Sequence, residues 1–173
     1  SGLEAIKIPD SVEEIEECAF SGCQRLTTAE LSNSLRKIGD YAFRSSGLES
    51  IELPDSVEEI GREAFSGCQK LAFAMVGNGV TVVGISAFEN CALTTVTIGN
   101  RVEVIDDCAF AGNRKLSKVV IPQNVTRMEY AAFRDCEALA DITFPDALTK
   151  IDGWVLDGTA WYAGQAEGMA YAG

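Results

Sequence analysis

The chain's cysteines, Cys18, Cys23, Cys68, Cys91, Cys108 and Cys136, are its residues best suited to covalent or metal chemistry, because a thiolate is both a nucleophile and a soft metal ligand. A zinc site draws its ligands from closely spaced pairs such as C-x-x-C, usually completed by histidine. No C-x-x-C pair occurs and histidine is absent, so Cys18 and Cys23 have nothing to complete a site. The lack of histidine also removes the commonest general base. Glu13-Glu14, Glu58-Glu59 and Asp106-Asp107 have the composition of acid/base dyads, but they recur at equivalent surface positions, as solvated columns do. Gly77-Asn78-Gly79 is a turn, since neither a helix start nor a phosphate-binding lysine follows in register. A nucleophile, a base and an oxyanion donor cannot be placed together. The reading is a protein with no catalytic residue, no metal site and no cofactor.

Charge narrows the partners. Lys and Arg total 14 against 26 Asp and Glu, a net charge of −12, which disfavours nucleic acid and anionic lipid. Hydrophobic residues make up 47% of the chain but occur in short clusters, none near the length needed to span a membrane. A charged segment followed by an apolar one does not open the sequence, so any export signal is expected to lie outside it.

The elements that must position any site are set by a repeat. Leucine opens the pattern L-x-x-I/V/A-x-I/L/V at Leu3, Leu26, Leu48, Leu71, Leu93, Leu116 and Leu139, in steps of 22 or 23 residues. A period of this size marks a solenoid, in which each rung buries its apolar face against its neighbours. Leu48, Ile51, Leu53, Val57, Ile60, Ala64 and Phe65 define seven apolar columns, which recur in every rung except the last. There, Trp154-Val155-Leu156 stands where the others carry x-Ala-Phe. Leu48 to Leu53 reads as a short strand ended by the turn Pro54-Asp55-Ser56. Successive strands would pair in parallel at about 4.8 Å. The V-x-x-I piece reads as a second strand, and the Ala-Phe piece as a 3₁₀ or distorted α turn.

Three residues after the phenylalanine the rungs read Cys23, Ser46, Cys68, Cys91, Asn113 and Cys136. Small residues that can turn a polar atom toward free backbone groups form a structural ladder. Cys68 and Cys91 lie on adjacent rungs, but in-register parallel side chains rarely present the disulfide dihedral. Cys18 and Cys108 are four rungs apart, about 19 Å, which is too far to bridge.

The rung Leu48-Glu-Ser-Ile-Glu-Leu-Pro-Asp-Ser-Val-Glu-Glu-Ile-Gly-Arg-Glu-Ala-Phe-Ser-Gly-Cys68 resembles the repeat of BspA-like leucine-rich-repeat proteins, and the resemblance covers residues 1–156. It implies an α/β leucine-rich-repeat solenoid, a right-handed superhelix of about seven rungs with little regular helix. It also implies export to the surface of a bacterium or protozoan and adhesion to host or microbial proteins. The column where commoner leucine-rich repeats carry asparagine reads Ser11, Ser34, Ser56, Gly79, Arg101, Asn124 and Ala147, so an asparagine ladder is not expected there. The tail, residues 157–173, resembles a segment that closes a repeat block, with Trp161, Tyr162 and Tyr171 covering the open apolar end. Ser1-Gly2-Leu3-Glu4 mirrors Ser46-Gly47-Leu48-Glu49, so the chain is expected to start inside a repeat of a longer protein.

Where outward positions break character, a partner site is expected. One strand column reads Lys7, Glu30, Glu52, Met75, Thr97, Val120 and Thr143, and its neighbour reads Ala5, Thr28, Ser50, Phe73, Thr95, Lys118 and Asp141. Phe73 and Met75 place two large apolar groups on a mostly polar face, with Glu30, Glu52, Lys118 and Val120 around them. Val82, Ile85 and Val104 form a second island. The expected function is protein recognition by a monomeric, extracellular or cell-surface module. The competing readings are a rigid spacer that projects other domains and glycan binding through Trp161, Tyr162 and Tyr171, the last of which fails if these rings pack on the last rung.

Overall fold

The computed structural model describes residues 2–170. Each rung contributes a three-residue strand and a two-residue strand. In chain order these are β1 (Ala5–Lys7), β2 (Glu14–Ile15), β3 (Thr28–Glu30), β4 (Lys37–Ile38), β5 (Ser50–Glu52), β6 (Glu59–Ile60), β7 (Phe73–Met75) and β8 (Val82–Val83). They continue as β9 (Thr95–Thr97), β10 (Val104–Ile105), β11 (Lys118–Val120), β12 (Arg127–Met128), β13 (Asp141–Thr143) and β14 (Lys150–Ile151). Among the described residues a single helix, α1 (Ala160–Ala170), follows. The odd-numbered strands form one face and the even-numbered strands a second. All pairs are parallel, in the register set by the repeat, as in Ser50↔Phe73↔Thr95.

Neither face is one continuous sheet. The first divides into β1-β3, β5-β7-β9 and β11-β13, and the second into β2-β4-β6 and β8-β10-β12-β14. Inside, the leucine column is fully buried from Leu26 to Leu139. Phe20, Phe43, Phe65, Phe88, Phe110 and Phe133 stack with ring centroids 5.0 to 5.5 Å apart and interplanar angles of at most 18°. The rung repeat brings the rings together face to face at a spacing close to that of the strands.

The third side departs from the 3₁₀ or α turn that the sequence suggests. It is a run of turns in which two residues per rung are left-handed. One column is Cys18, Tyr41, Glu63, Ser86, Cys108, Ala131 and Trp154, with φ between 51° and 63°. The other is Gly22, Ser45, Gly67, Asn90, Gly112, Asp135 and Gly158. The physical reason lies in the hydrogen bonds. Ala19, Ser21 and Cys23 donate within the rung to the carbonyls of Glu16, Cys18 and Phe20, whereas Cys18, Phe20 and Gly22 donate to Asp40, Ala42 and Arg44 on the next. A continuous 3₁₀ turn would spend every N–H on its own segment and leave adjacent corners unconnected.

Because the phenylalanines are buried and each inner ring touches two others, truncation should be costly. Phe88→Ala is expected to destabilise the protein by about 3–5 kcal/mol, read by urea unfolding, and Phe20→Ala, at the half-buried end of the stack, by clearly less.

Candidate recognition surface

On the strand face, Ala74 points into the core and Phe73 and Met75 point away from it. They are half-buried rather than fully exposed, because β5 and β9 pair on either side of them, bringing Ser50 and Thr95 beside Phe73, and Glu52 and Thr97 beside Met75. Of the surrounding residues, Glu30 is paired with Lys7 at 3.4 Å and Lys118 with Asp141 at 2.6 Å. Val120 is 55% exposed. Glu52 has no basic partner among the described residues.

These residues fall into two groups. Glu30, Glu52 and Met75 line an open groove of about 460 Å³ where β3 and β5 fail to pair, together with Leu31 and Pro54. Lys118 and Val120 line a second, of about 500 Å³, where β9 and β11 fail to pair. Phe73 lies between them and lines neither. The column pattern carries no sign of either gap, since both pairs of rungs have ordinary spacing. On the second face Val82 and Ile85 are exposed, Val104 is half-buried and pairs with Val82.

The chemistry-bearing groups serve the scaffold. All six cysteines are free thiols. Cys68 donates to the Phe43 carbonyl at 3.1 Å, Cys91 to Phe65 at 3.1 Å and Cys136 to Phe110 at 3.2 Å. Asn113 fills the same column, its amide donating to the carbonyls of Phe88 and Phe110 at 2.9 and 2.7 Å. The Phe43 and Phe65 carbonyls also accept the Ser46 and Cys68 N–H groups, so the thiols add a second bond that ties one corner to the next. A hydrogen bond to Cys68, together with burial, holds the Cys91 thiol well above its ordinary value. Burial pushes Cys136 up to about 12.

The carboxylates behave similarly. Arg36 pairs with Glu58 at 2.7 Å, and Lys37 bridges Glu14 and Glu59 at 3.1 and 3.7 Å. The hydrogen bond to Glu14 raises the Lys37 ammonium above its usual value. Asp106 accepts the Asp107 N–H, and Asp107 that of Tyr130. Asparagine does form a short ladder, one residue before the column that lacks it. Asp55 accepts the Asn78 N–H at 2.7 Å, and the Asn78 side-chain oxygen accepts that of Asn100 at 2.9 Å. Among the described residues no group of three or more His, Cys, Asp or Glu could hold a metal ion, and no helix is long and apolar enough to cross a membrane.

At the far end, Trp161 stands 22 residues after Leu139, where an eighth leucine would fall. Its N–H donates to the Leu139 carbonyl at 2.7 Å, and its ring meets Phe144 edge-on with centroids 5.7 Å apart. Tyr162 is exposed, and Tyr171 lies outside the described residues.

Parallel rungs, an invariant leucine column and a ladder on every side define a leucine-rich-repeat solenoid. The particular family follows from the sequence profile of the BspA type Leucine rich repeat region, which matches residues 1–117 and 105–161 in six copies. The chain belongs to that family. It is similar to a leucine-rich repeat protein from Bacteroides ovatus at 27% identity and a TM-score of 0.72, over 92% of this chain and 47% of that one. It is also similar to one from Eubacterium ventriosum at 25% identity and a TM-score of 0.86, over 91% and 43%. The leucine rich repeat protein of T. pallidum shares the fold, at 21% identity and a TM-score of 0.60 over 93% and 78%. The chain thus spans less than half the length of the Bacteroides and Eubacterium structures. No curated protein sequence matches it.

The raised Cys136 thiol predicts an alkaline effect. The fold binds this proton more tightly than the unfolded chain, whose thiol titrates near 9.0. Its stabilising contribution is therefore complete below that pH and is lost as pH rises from there toward about 12. Urea unfolding across this window should show falling stability, and Cys136→Ser, with a side chain that does not ionise there, should make the fall shallower.

Proposed function

We propose that this chain is a non-enzymatic recognition module of a larger cell-surface protein, and that it binds a protein ligand through the strand face around Phe73 and Met75. The carrying observation is the juxtaposition of two large apolar side chains with the unpaired Glu52 carboxylate beside an open groove. Partly covered apolar groups surrounded by polar residues supply binding energy when a partner removes the remaining water. An unpaired carboxylate at their edge favours a partner with a lysine or arginine in that position. Glu30, Lys118 and Val120 complete the rim. Surface location and adhesion come from the resemblance to BspA-like proteins, and the net charge of −12 argues against a nucleic-acid partner. We read residues 1–156 as the solenoid, 157–173 as its closing segment, and the chain as a monomer.

A spacer role is the second reading. It is favoured by the stacked rings and the hydrogen-bonded corner, which tie each rung to the next and would make a stiff rod. The two readings separate in a binding screen against host and microbial surface proteins. Recognition predicts a partner whose affinity falls about tenfold or more in the Phe73→Ser/Met75→Ser double variant, with the melting temperature little changed. A partner bound equally well by the variant would remove the site assignment, and a screen without any partner would favour the spacer.

A further inference from the structure

The last rung departs from the others at positions that converge on one place. Phe144 stands in a column that reads Ile8, Leu31, Leu53, Val76, Ile98 and Ile121 in the earlier rungs. Trp154 occupies the left-handed corner position at φ 63°. Leu156 takes the place of the next phenylalanine, so the ring stack ends at Phe133 and a smaller side chain leaves space above it. Between this rung and the start of α1 lies a mostly apolar groove of about 470 Å³, walled by Phe144, Trp154, Leu156, Trp161 and Tyr162, with Asp152 and Asp157 also lining it. Trp154 is 57% and Tyr162 56% exposed. Arg134 lies 5.6 Å over the Trp154 ring and is not part of the groove wall, so it can steady the ring without filling the groove.

We propose that this groove binds a neutral saccharide. Exposed aromatic rings offer platforms for the apolar C–H face of a pyranose. The polar wall selects the charge of the ligand. Asp152 is paired with Lys150 at 3.2 Å and accepts the Gly153 N–H at 2.7 Å, and Asp157 is paired with Arg134 at 3.7 Å. Lys150 is shared with Glu129 at 2.5 Å and Arg134 with Asp135 at 3.5 Å, so acceptors and donors lie close together on a wall that keeps a mild negative charge, which suits hydroxyl groups that both donate and accept and disfavours an anionic sugar. A cationic ligand would have to compete with Lys150 and Arg134, and an anionic one would meet both carboxylates. This site is separate from the strand face of Phe73 and Met75.

The chain's two tryptophans both line the groove, so intrinsic fluorescence reports on it directly. Titration of the full chain with cellotetraose, maltotetraose, mannotetraose and tetra-N-acetylchitotetraose should give a saturable change in emission with at least one of them, at roughly millimolar Kd. Calorimetry with that sugar should show about tenfold weaker binding in Trp154→Ala and in Tyr162→Ser. Tyr162 is exposed, so its variant keeps the test open if Trp154→Ala fails to fold. Phe73→Ser/Met75→Ser should bind the sugar unchanged, so failure of the strand-face reading would leave this one standing, and the reverse. The proposal is overturned if no probe alters emission up to about 50 mM, or if Tyr162→Ser binds as well as the parent. Self-association that Tyr162→Ser abolishes and no sugar reduces would assign the groove to a second copy instead.

Discussion

Everything in this protein depends on one constraint: each rung must hand its unused backbone N–H groups to its neighbour in a fixed register. A rung has no sheet of its own, and its buried amides have no water to turn to. Stacking in register solves this, and the same geometry then stacks every side chain on its counterpart. The leucine column, the near-parallel phenylalanines and the thiol and asparagine hydrogen bonds are all consequences of it.

The constraint also engages the residues suited to chemistry in the strand and corner columns. Cys91 and Cys136, which donate to the carbonyls of earlier phenylalanines, are buried and held protonated, which is the opposite of what a nucleophile needs. Carboxylates at strand spacing would repel one another, and the alternation of Glu14, Lys37 and Glu59 turns that repulsion into pairing. What remains free for function is the set of outward positions, together with the last rung, where α1 takes the place of a next strand.

The two candidate surfaces differ in how legible they were. Phe73 and Met75 stand out in the columns because their neighbours there are mostly polar. Their half-burial does not, since it comes from adjacent strands. The grooves beside them depend on where pairing fails between β3 and β5 and between β9 and β11, and no residue type signals that. The groove at the last rung was half visible: Trp154 and Leu156 break the pattern, and Trp161 and Tyr162 read as a cap. Trp161 does pack against Phe144, whereas Tyr162 stays exposed, because α1 reaches the last rung near its first turn and leaves that ring outside the contact.

By itself the sequence determined the period, the parallel pairing, the core columns and the role of the small polar ladder, because a stacked repeat writes the same physical requirement into the chain seven times. Only the tertiary structure decided the path of the corner. Cys18, Tyr41 and Glu63 have no preference for left-handed φ, and they adopt it because the next rung requires their N–H groups. It also decided which edges stay open, since exposure at Ile151 or Tyr162 is a property of what lies alongside and is absent from the residues themselves.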